Sequence, residues 1–380
     1  MKSKKNDARV VFLVGTRWFG VLGPCKLLIN DLIESGYKIY VFGQKDKHYQ
    51  QFDAGQATLV KIRVRRSYFS FISDFLDIMK LTYFIASKKP KFVHSFNPKP
   101  SLLCYFSLLF LRTPYYFMGV TGLGNTFIKA KALEVFIRKV MKIAIKRARF
   151  VFFQNEDDVN LFVNELGLER SKALKFTSPG VDIYRFKMRS HYGIEGRLKV
   201  LLVARLLWQK GVGDFVNTYK KLIELGLDKY YRFTLVGELD SDHPDRLGVE
   251  DINEIVALGV EWIPWTDSIE VIYSSNNLLL FMSMREGGPR AILEASSTGM
   301  PTIGSDCIGV KELIVDGETG FTISCGAIDE IIKKLECYRI NPSLIEVHGR
   351  CARKSIAEEF SLENATRAQL EMYRRGNKGA

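Results

Sequence analysis

The chain has 380 residues, 47% apolar and 26% charged, with 30 Gly and 11 Pro; this suits two folded domains and excludes a disordered or fibrous protein. Its net charge of +13 is unevenly shared: residues 1–190 hold 33 Lys or Arg against 14 Asp or Glu (+19), and residues 191–380 hold 22 against 28 (−6). The first half therefore suits a polyanion or an anionic membrane face, while six Cys without a C-x-x-C pair argue against a zinc or disulfide framework and fit a reducing cytosol.

In chain order, the run Val10–Val14 is too short for a signal-peptide core and reads as a first strand. Strands follow at Lys38–Phe42, Leu59–Val64, Phe92–Ser95, Tyr115–Val120, Arg149–Phe153 and Leu174–Thr177, with helical patterns near 24–35, 73–88, 99–111, 127–148 and 157–166. Ser101–Leu111 is the most apolar stretch, but eleven residues fall short of the roughly 20 that cross a bilayer as a helix. The expectation is a cytoplasmic chain, soluble or held at the inner membrane surface. Ser178–Gly196 breaks the rhythm with Pro179, Gly180, Gly193 and Gly196, as a linker would.

The pattern then restarts, with strands at Lys199–Ala204, Arg232–Val236, Val260–Ile263, Asn277–Met282, Pro301–Ser305 and Phe321–Ile323. Helices are predicted near 213–225, 246–257, 267–274, 290–299 and 328–337, and the tail Pro342–Arg375 reads as helical. Strands alternating with helices predict an α/β fold with parallel sheets, here twice in tandem.

Parallel sheets bind ligands beyond the carboxyl ends of their strands, so the loops there carry the chemistry. Gly15–Gly23 (GTRWFGVLG) could bring backbone N–H groups of Gly20 and Gly23 near an anion, although it is not G-x-G-x-x-G. No acidic residue ends the second predicted strand, which argues against a dinucleotide site; a glycine turn carrying Trp18 and Phe19 is the alternative. His94-Ser95-Phe96-Asn97-Pro98-Lys99-Pro100 gathers an imidazole, an amide and an ammonium. His94 is as compatible with a core position as with a site, whereas Lys99 near a helix start suggests a phosphate partner. Thr121-Gly122-Leu123-Gly124 suits either close backbone approach to a ligand or a simple turn.

In the second half, Arg205 and Lys210 could clamp a diphosphate, or be a solvated cationic loop. The string from Arg285 to Ala295 (REGGPRAILEA) opens a helix with Gly287, Gly288, Pro289 and Arg290, an arrangement suited to an anion. Glu286 and Glu294 could accept hydroxyl hydrogens from one extended ligand; alternatively, Glu286 answers the helix dipole and Glu294 is a surface residue. Two basic segments with aromatic residues, 61–76 and 127–149, favour an anionic membrane surface over nucleic acid, for which no binding module is evident.

Three stretches, VARLLWQKGVGDF at 203–215, EGGPRAILEA at 286–295 and GVKELIVDGETGF at 309–321, resemble the large retaining glycosyltransferase family 4. HSFNPKP, VTGLGNTF and FFQNEDD resemble those members that extend polyprenyl-diphosphate-linked sugars. The resemblance implies the GT-B architecture: two facing Rossmann-like domains with a final helix crossing back to the first. It assigns an N-terminal acceptor-binding, membrane-associating domain to 1–185, a nucleotide-sugar domain to 186–355 and a crossing helix and tail to 356–380. It implies that Arg205 and Lys210 hold the donor diphosphate and Glu294 the ribose of uridine, while Glu286, Gly287 and Gly288 contact the donor sugar. Gly288 stands where the family commonly carries a bulkier residue. Gly20 and Gly23 would approach the donor phosphates or the acceptor; His94, Asn97, Lys99, Thr121 and Gly122 would line the acceptor side, His94 among the catalytic groups with Glu286, Arg205 and Lys210.

The implied reaction is retaining transfer of a sugar, expected to be an N-acetylhexosamine, from a UDP-sugar to a lipid-linked saccharide in polysaccharide or glycan biosynthesis. No metal and no other cofactor are expected. A UDP-sugar epimerase and a non-catalytic sugar-nucleotide binder remain the alternatives, the first leaving the basic aromatic half unexplained.

Overall fold

In a computed structural model the described residues are 9–46, 55–65, 71–109, 111, 115–123, 131–176, 180–240 and 243–377. Gly124, Arg66, Tyr68, Phe69 and residues 127–130 of the sequence reading lie outside them. The chain divides into two compact units, one formed by 1–179 with 363–380 and the other by 180–362. The divisions therefore fall at 179/180 and 362/363, where the sequence reading set 185/186 and 355/356.

The first unit holds a parallel sheet of β1 (Val10–Arg17), β2 (Lys38–Gln44), β3 (Thr58–Lys61), β4 (Phe92–Ser95), β5 (Tyr115–Val120), β6 (Phe150–Phe153) and β7 (Ala173–Lys175). Their spatial order is β3-β2-β1-β4-β5-β6-β7. Strands covered on both faces need apolar side chains at every position, and all six residues of β5 are buried. Successive side chains point to opposite faces. Phe12 and Val14 join one core with Met118 and Val151, whereas Val11 and Leu13 join another with Phe117 and Phe152. Helices Phe71–Lys88, Pro98–Ser107, Lys131–Arg147 and Glu156–Asn164 contribute to the first core; Lys26–Glu34 contributes to the second.

The second core also contains Met372 and Tyr373 of the last helix, Leu362–Asn377. The helical tail thus breaks in two at Phe360–Ser361: Ser343–Glu359 stays with the second unit, and the last helix returns to the first. Tyr373 packs edge-on against Phe92 and Phe117, covering strands β4 and β5.

The second unit has β8 (Leu198–Val203), β9 (Tyr231–Val236), β10 (Glu261–Ile263), β11 (Leu278–Phe281), β12 (Thr302–Ser305) and β13 (Gly320–Ile323). Their order, β10-β9-β8-β11-β12-β13, is also parallel throughout. In both sheets the strand order reverses beside the first strand of the unit, between β1 and β4 and between β8 and β11. Chains diverge there to opposite sides and leave a crevice at the carboxyl ends.

Candidate active site

In the second unit, the loops after β8 and β11 meet at this reversal. Gly211 has φ +82°, and a Cβ there would lie 2.5 Å from the carbonyl oxygen of Met282 at the end of β11. Only glycine allows the start of helix Val212–Glu224 to approach that strand so closely. The approach brings Lys210 to Glu286: Nζ donates to Oε1 at 2.6 Å, both side chains being mostly buried. The same Oε1 accepts from Ser283 Oγ at 2.8 Å. Glu286 is held from below by its N–H on Ile308 O at 3.0 Å, and Gly309 (φ +80°) leaves room for its carbonyl. The third family-like stretch thus shapes the loop of the second.

Arg205 reaches Asp240 at 3.4 Å and remains half exposed. Both predicted diphosphate cations thus face a carboxylate. Helix Arg290–Ser297 begins where the sequence placed its start, with Pro289 as its N-cap, so Gly287 and Gly288 precede the helix proper. Glu294, the expected surface residue of the alternative reading, is buried: Oε1 accepts from Arg290 at 3.0 Å and Oε2 from the Tyr273 hydroxyl at 3.1 Å. Burial, and then the Glu294 charge, pushes the Tyr273 phenol well above its usual range, so it stays a donor.

Beneath them the buried Arg189 donates to the carbonyls of Tyr273 (2.8 Å), Asn276 (2.6 Å) and Thr298 (3.3 Å). It ties the helix bearing Tyr273 (Ile269–Ser275) to the end of the one bearing Glu294. Ser283, Asp240, Tyr273 and Arg189 were absent from the sequence reading. Asp240, Tyr273 and Arg189 are ordinary residue types whose partners lie 21 to 109 positions away, and only Ser283, three residues before Glu286, offered a local signal.

In the first unit several expectations change. Strand β1 continues through Arg17, paired with Gln44, and Phe19–Leu22 is a short helical turn. The predicted glycine loop is therefore mostly regular structure: Gly20 is exposed within the turn, and Gly23 ends it with an ordinary φ of −63°. Trp18 is buried in the core of this unit. Asp46, two residues beyond β2, accepts from the Phe19 N–H at 3.1 Å.

His94, expected among the catalytic groups, lies in the core of this unit instead. It has no exposed surface; its Nδ1 is hydrogen-bonded to the Tyr373 hydroxyl at 2.9 Å and its ring stacks on Phe96. Burial depresses its pKa to about 3, so the imidazole is neutral and withdrawn from water. Lys99 is paired with Asp74 of helix Phe71–Lys88 at 2.9 Å, both mostly buried.

Asn97 and Thr121 do come together, Nδ2 donating to Oγ1 at 2.6 Å, beyond the ends of β4 and β5. Asn97 has φ +72°, a costly conformation for a side chain with a Cβ. Its carbonyl is fixed by both the N–H (3.1 Å) and the hydroxyl (2.8 Å) of Ser101. Gly122 follows with φ +96°. Asn97 thus carries a strained backbone at the end of β4 and bonds across to the end of β5.

Two Rossmann-like parallel sheets and a carboxylate–cation cluster at one strand reversal define a GT-B protein. Comparison with known proteins agrees: residues 185–354 match the family of group 1 glycosyl transferases. The chain is 22% identical over 360 residues to the capsular polysaccharide biosynthesis glycosyltransferase CapM of Staphylococcus aureus, covering 91% of this chain and 92% of that one. It is 25% identical over 311 residues to the N,N'-diacetylbacillosaminyl-diphospho-undecaprenol alpha-1,3-N-acetylgalactosaminyltransferase of Campylobacter jejuni, covering 77% and 79%. The solved structure of Anabaena HepE in complex with UDP superimposes with a TM-score of 0.76 at 15% identity, over 97% of this chain and 100% of that one. The chain is a glycosyltransferase.

Proposed function

We propose that this chain transfers a sugar, with retention, from a UDP-sugar to a polyprenyl-diphosphate-linked saccharide at the inner face of the cell membrane, in surface polysaccharide or glycan biosynthesis. The observation that carries the reading is the Lys210–Glu286–Ser283 cluster at the β8/β11 reversal, with Glu294 held by Tyr273 in the same unit. UDP bound in the HepE structure and the diphospho-undecaprenol acceptor in the name of the Campylobacter relative support the two substrates.

In this reading Arg205 and Lys210 hold the diphosphate, and Glu294 accepts the ribose hydroxyls of uridine. Glu286, with the backbone at Gly287 and Gly288, orients the donor sugar, an N-acetylhexosamine. As the anomeric C–O bond breaks, its electron pair leaves with UDP, and the cations and the start of helix Arg290–Ser297 stabilise that charge where it develops. The acceptor oxygen bonds to the anomeric carbon on the same face, and its proton passes to the departing phosphate. Asn97, Thr121 and Gly122 present the acceptor. With two cations supplied by the chain, the transfer proceeds without a metal.

The test is a screen of UDP-sugars against polyprenyl-diphospho-saccharides with EDTA present, read by mass spectrometry, with NMR coupling constants reporting the anomer. Gain of one sugar with the donor's anomeric configuration is expected. Epimerisation or hydrolysis without transfer, or inversion, would overturn the assignment.

A further inference from the structure

Helix Phe71–Lys88 is unusual for an element facing water. Ser73, Asp77, Leu81 and Ile85 form its buried stripe, and Asp77 accepts from the N–H groups of Arg63 and Val64 at 3.0 Å, which fixes the helix against rolling. The opposite stripe, Phe71, Ile72, Phe75, Leu76, Met79 and Tyr83, keeps the helical repeat and is 51–81% exposed. It runs for about 18 Å at 1.5 Å per residue. Single exposed apolar side chains are ordinary; six on one stripe mark an interaction surface.

Helix Pro98–Ser107 packs beside it, and helix Lys131–Arg147 beside that one. Leu81 and Ile85, Leu103 and Leu108, and Met141 and Ile145 all enter the same core, so the outer stripes of the three helices face away from one side of the sheet. On the third helix that stripe reads Val135, Phe136, Lys139, Lys142, Ile143 and Lys146, all exposed. Its cations alternate with apolar side chains instead of occupying a separate face.

We infer that this helical layer docks on an anionic phospholipid bilayer. Helix Phe71–Lys88 lies flat and submerges its apolar stripe among the acyl chains, while Lys139, Lys142 and Lys146 meet headgroup phosphates. Charge complementarity selects this occupant: the half of the chain that bears the surface carries +19, and a protein partner covering the apolar residues would also have to bury the interleaved ammonium groups, whereas a bilayer interface takes both. Among the described residues no helix is long and apolar enough to cross a membrane, and the contact inferred is from one side. The inference deepens the reading of a lipid-linked acceptor, on which it partly rests, but its test uses neither donor nor acceptor.

Sedimentation with vesicles of phosphatidylglycerol and phosphatidylethanolamine in equal parts should carry the wild-type protein down. Partitioning should fall about tenfold or more in I72S/F75S/M79S, and K139E/K142E/K146E should weaken it mainly at low salt. In Phe75→Trp the added fluorescence should shift to the blue on vesicle addition and be quenched by lipids brominated on their acyl chains; this variant carries the test if the triple serine variant fails to fold. Undiminished binding of I72S/F75S/M79S, unmoved Phe75→Trp emission, or a wild-type dimer that the serine substitutions convert to monomer would overturn the inference. Transfer to a short water-soluble acceptor should survive the serine substitutions; absence of that transfer in the wild-type protein would sink the reaction assignment and leave the docking surface standing.

Discussion

Glu286 and Lys210 neutralise each other in the free protein, so replacing each should move nucleotide affinity in opposite directions. At 2.6 Å and an effective dielectric of about 20, their gross attraction is about 6 kcal/mol. Both side chains are withdrawn from water to about the same extent, and desolvation returns most of that, leaving a net coupling of about 1–3 kcal/mol. Lys210→Met strands Glu286 with only the Ser283 hydroxyl and should cost about 2 kcal/mol of stability. It should also weaken UDP binding about tenfold to a hundredfold, the worth of a charge-assisted hydrogen bond to phosphate. Glu286→Gln keeps the shape, removes a negative charge beside the diphosphate and releases the ammonium, so UDP should bind about threefold to tenfold more tightly. Turnover of the UDP-sugar should still fall, because the carboxylate that accepts sugar hydroxyls is lost. Calorimetric titration with UDP, urea unfolding and the double variant complete the cycle. Unchanged UDP affinity in Lys210→Met, or equal weakening in both variants, would refute the role of Lys210 as a phosphate ligand and leave it a structural partner of Glu286.

Tyr273→Phe should cost about 1–3 kcal/mol through the unpaired Glu294 oxygen; UDP should lose more affinity than 2′-deoxy-UDP in parallel titrations, and equal losses would mean that Tyr273 only packs. Gly211→Ala, strained by φ +82° and pressed on Met282, should destabilise the second unit by about 1–3 kcal/mol and abolish UDP protection against thermal unfolding; a neutral result would contradict the close approach. Burial of His94 lowers its folded pKa to about 3 from an unfolded 6.5, so below pH 6.5 the unfolded chain binds the extra proton and stability falls as pH drops. The loss should reach about 2 kcal/mol by pH 5, with the depressed His348 adding in the same direction. Urea midpoints at pH 7 and pH 5 check this, and His94→Gln should flatten the profile.

The sequence made some of the site visible and hid the rest for definite reasons. Glu286 and Glu294 stand out because their glycine and helix context is local. That Glu294 is buried and fixed is invisible, because Tyr273 and Arg189 belong to other elements. Near the second strand the sequence suggested no acid, yet Asp46 lies just past its end and holds the Phe19 N–H. His94 and Lys99 looked chemical by residue type. Their partners, Tyr373 and Asp74, arrive from remote helices and make one a core group and the other half of an ion pair.

The strands were legible because a parallel sheet covered on both faces demands unbroken apolar runs, a one-dimensional signal; Phe92–Ser95 and Tyr115–Val120 match residue for residue. The basic asymmetry of the two halves was equally plain. Periodicity makes Leu362–Asn377 amphipathic but does not say which sheet its apolar stripe will cover. Tertiary structure decided that: strands β4 and β5 present Phe92 and Phe117 on the face where Tyr373 and Gly376 lie against them, so the helix returns to the first unit. It likewise set Lys210 against Glu286, because a glycine without a Cβ lets two strand-end loops, far apart in sequence, close to hydrogen-bonding distance.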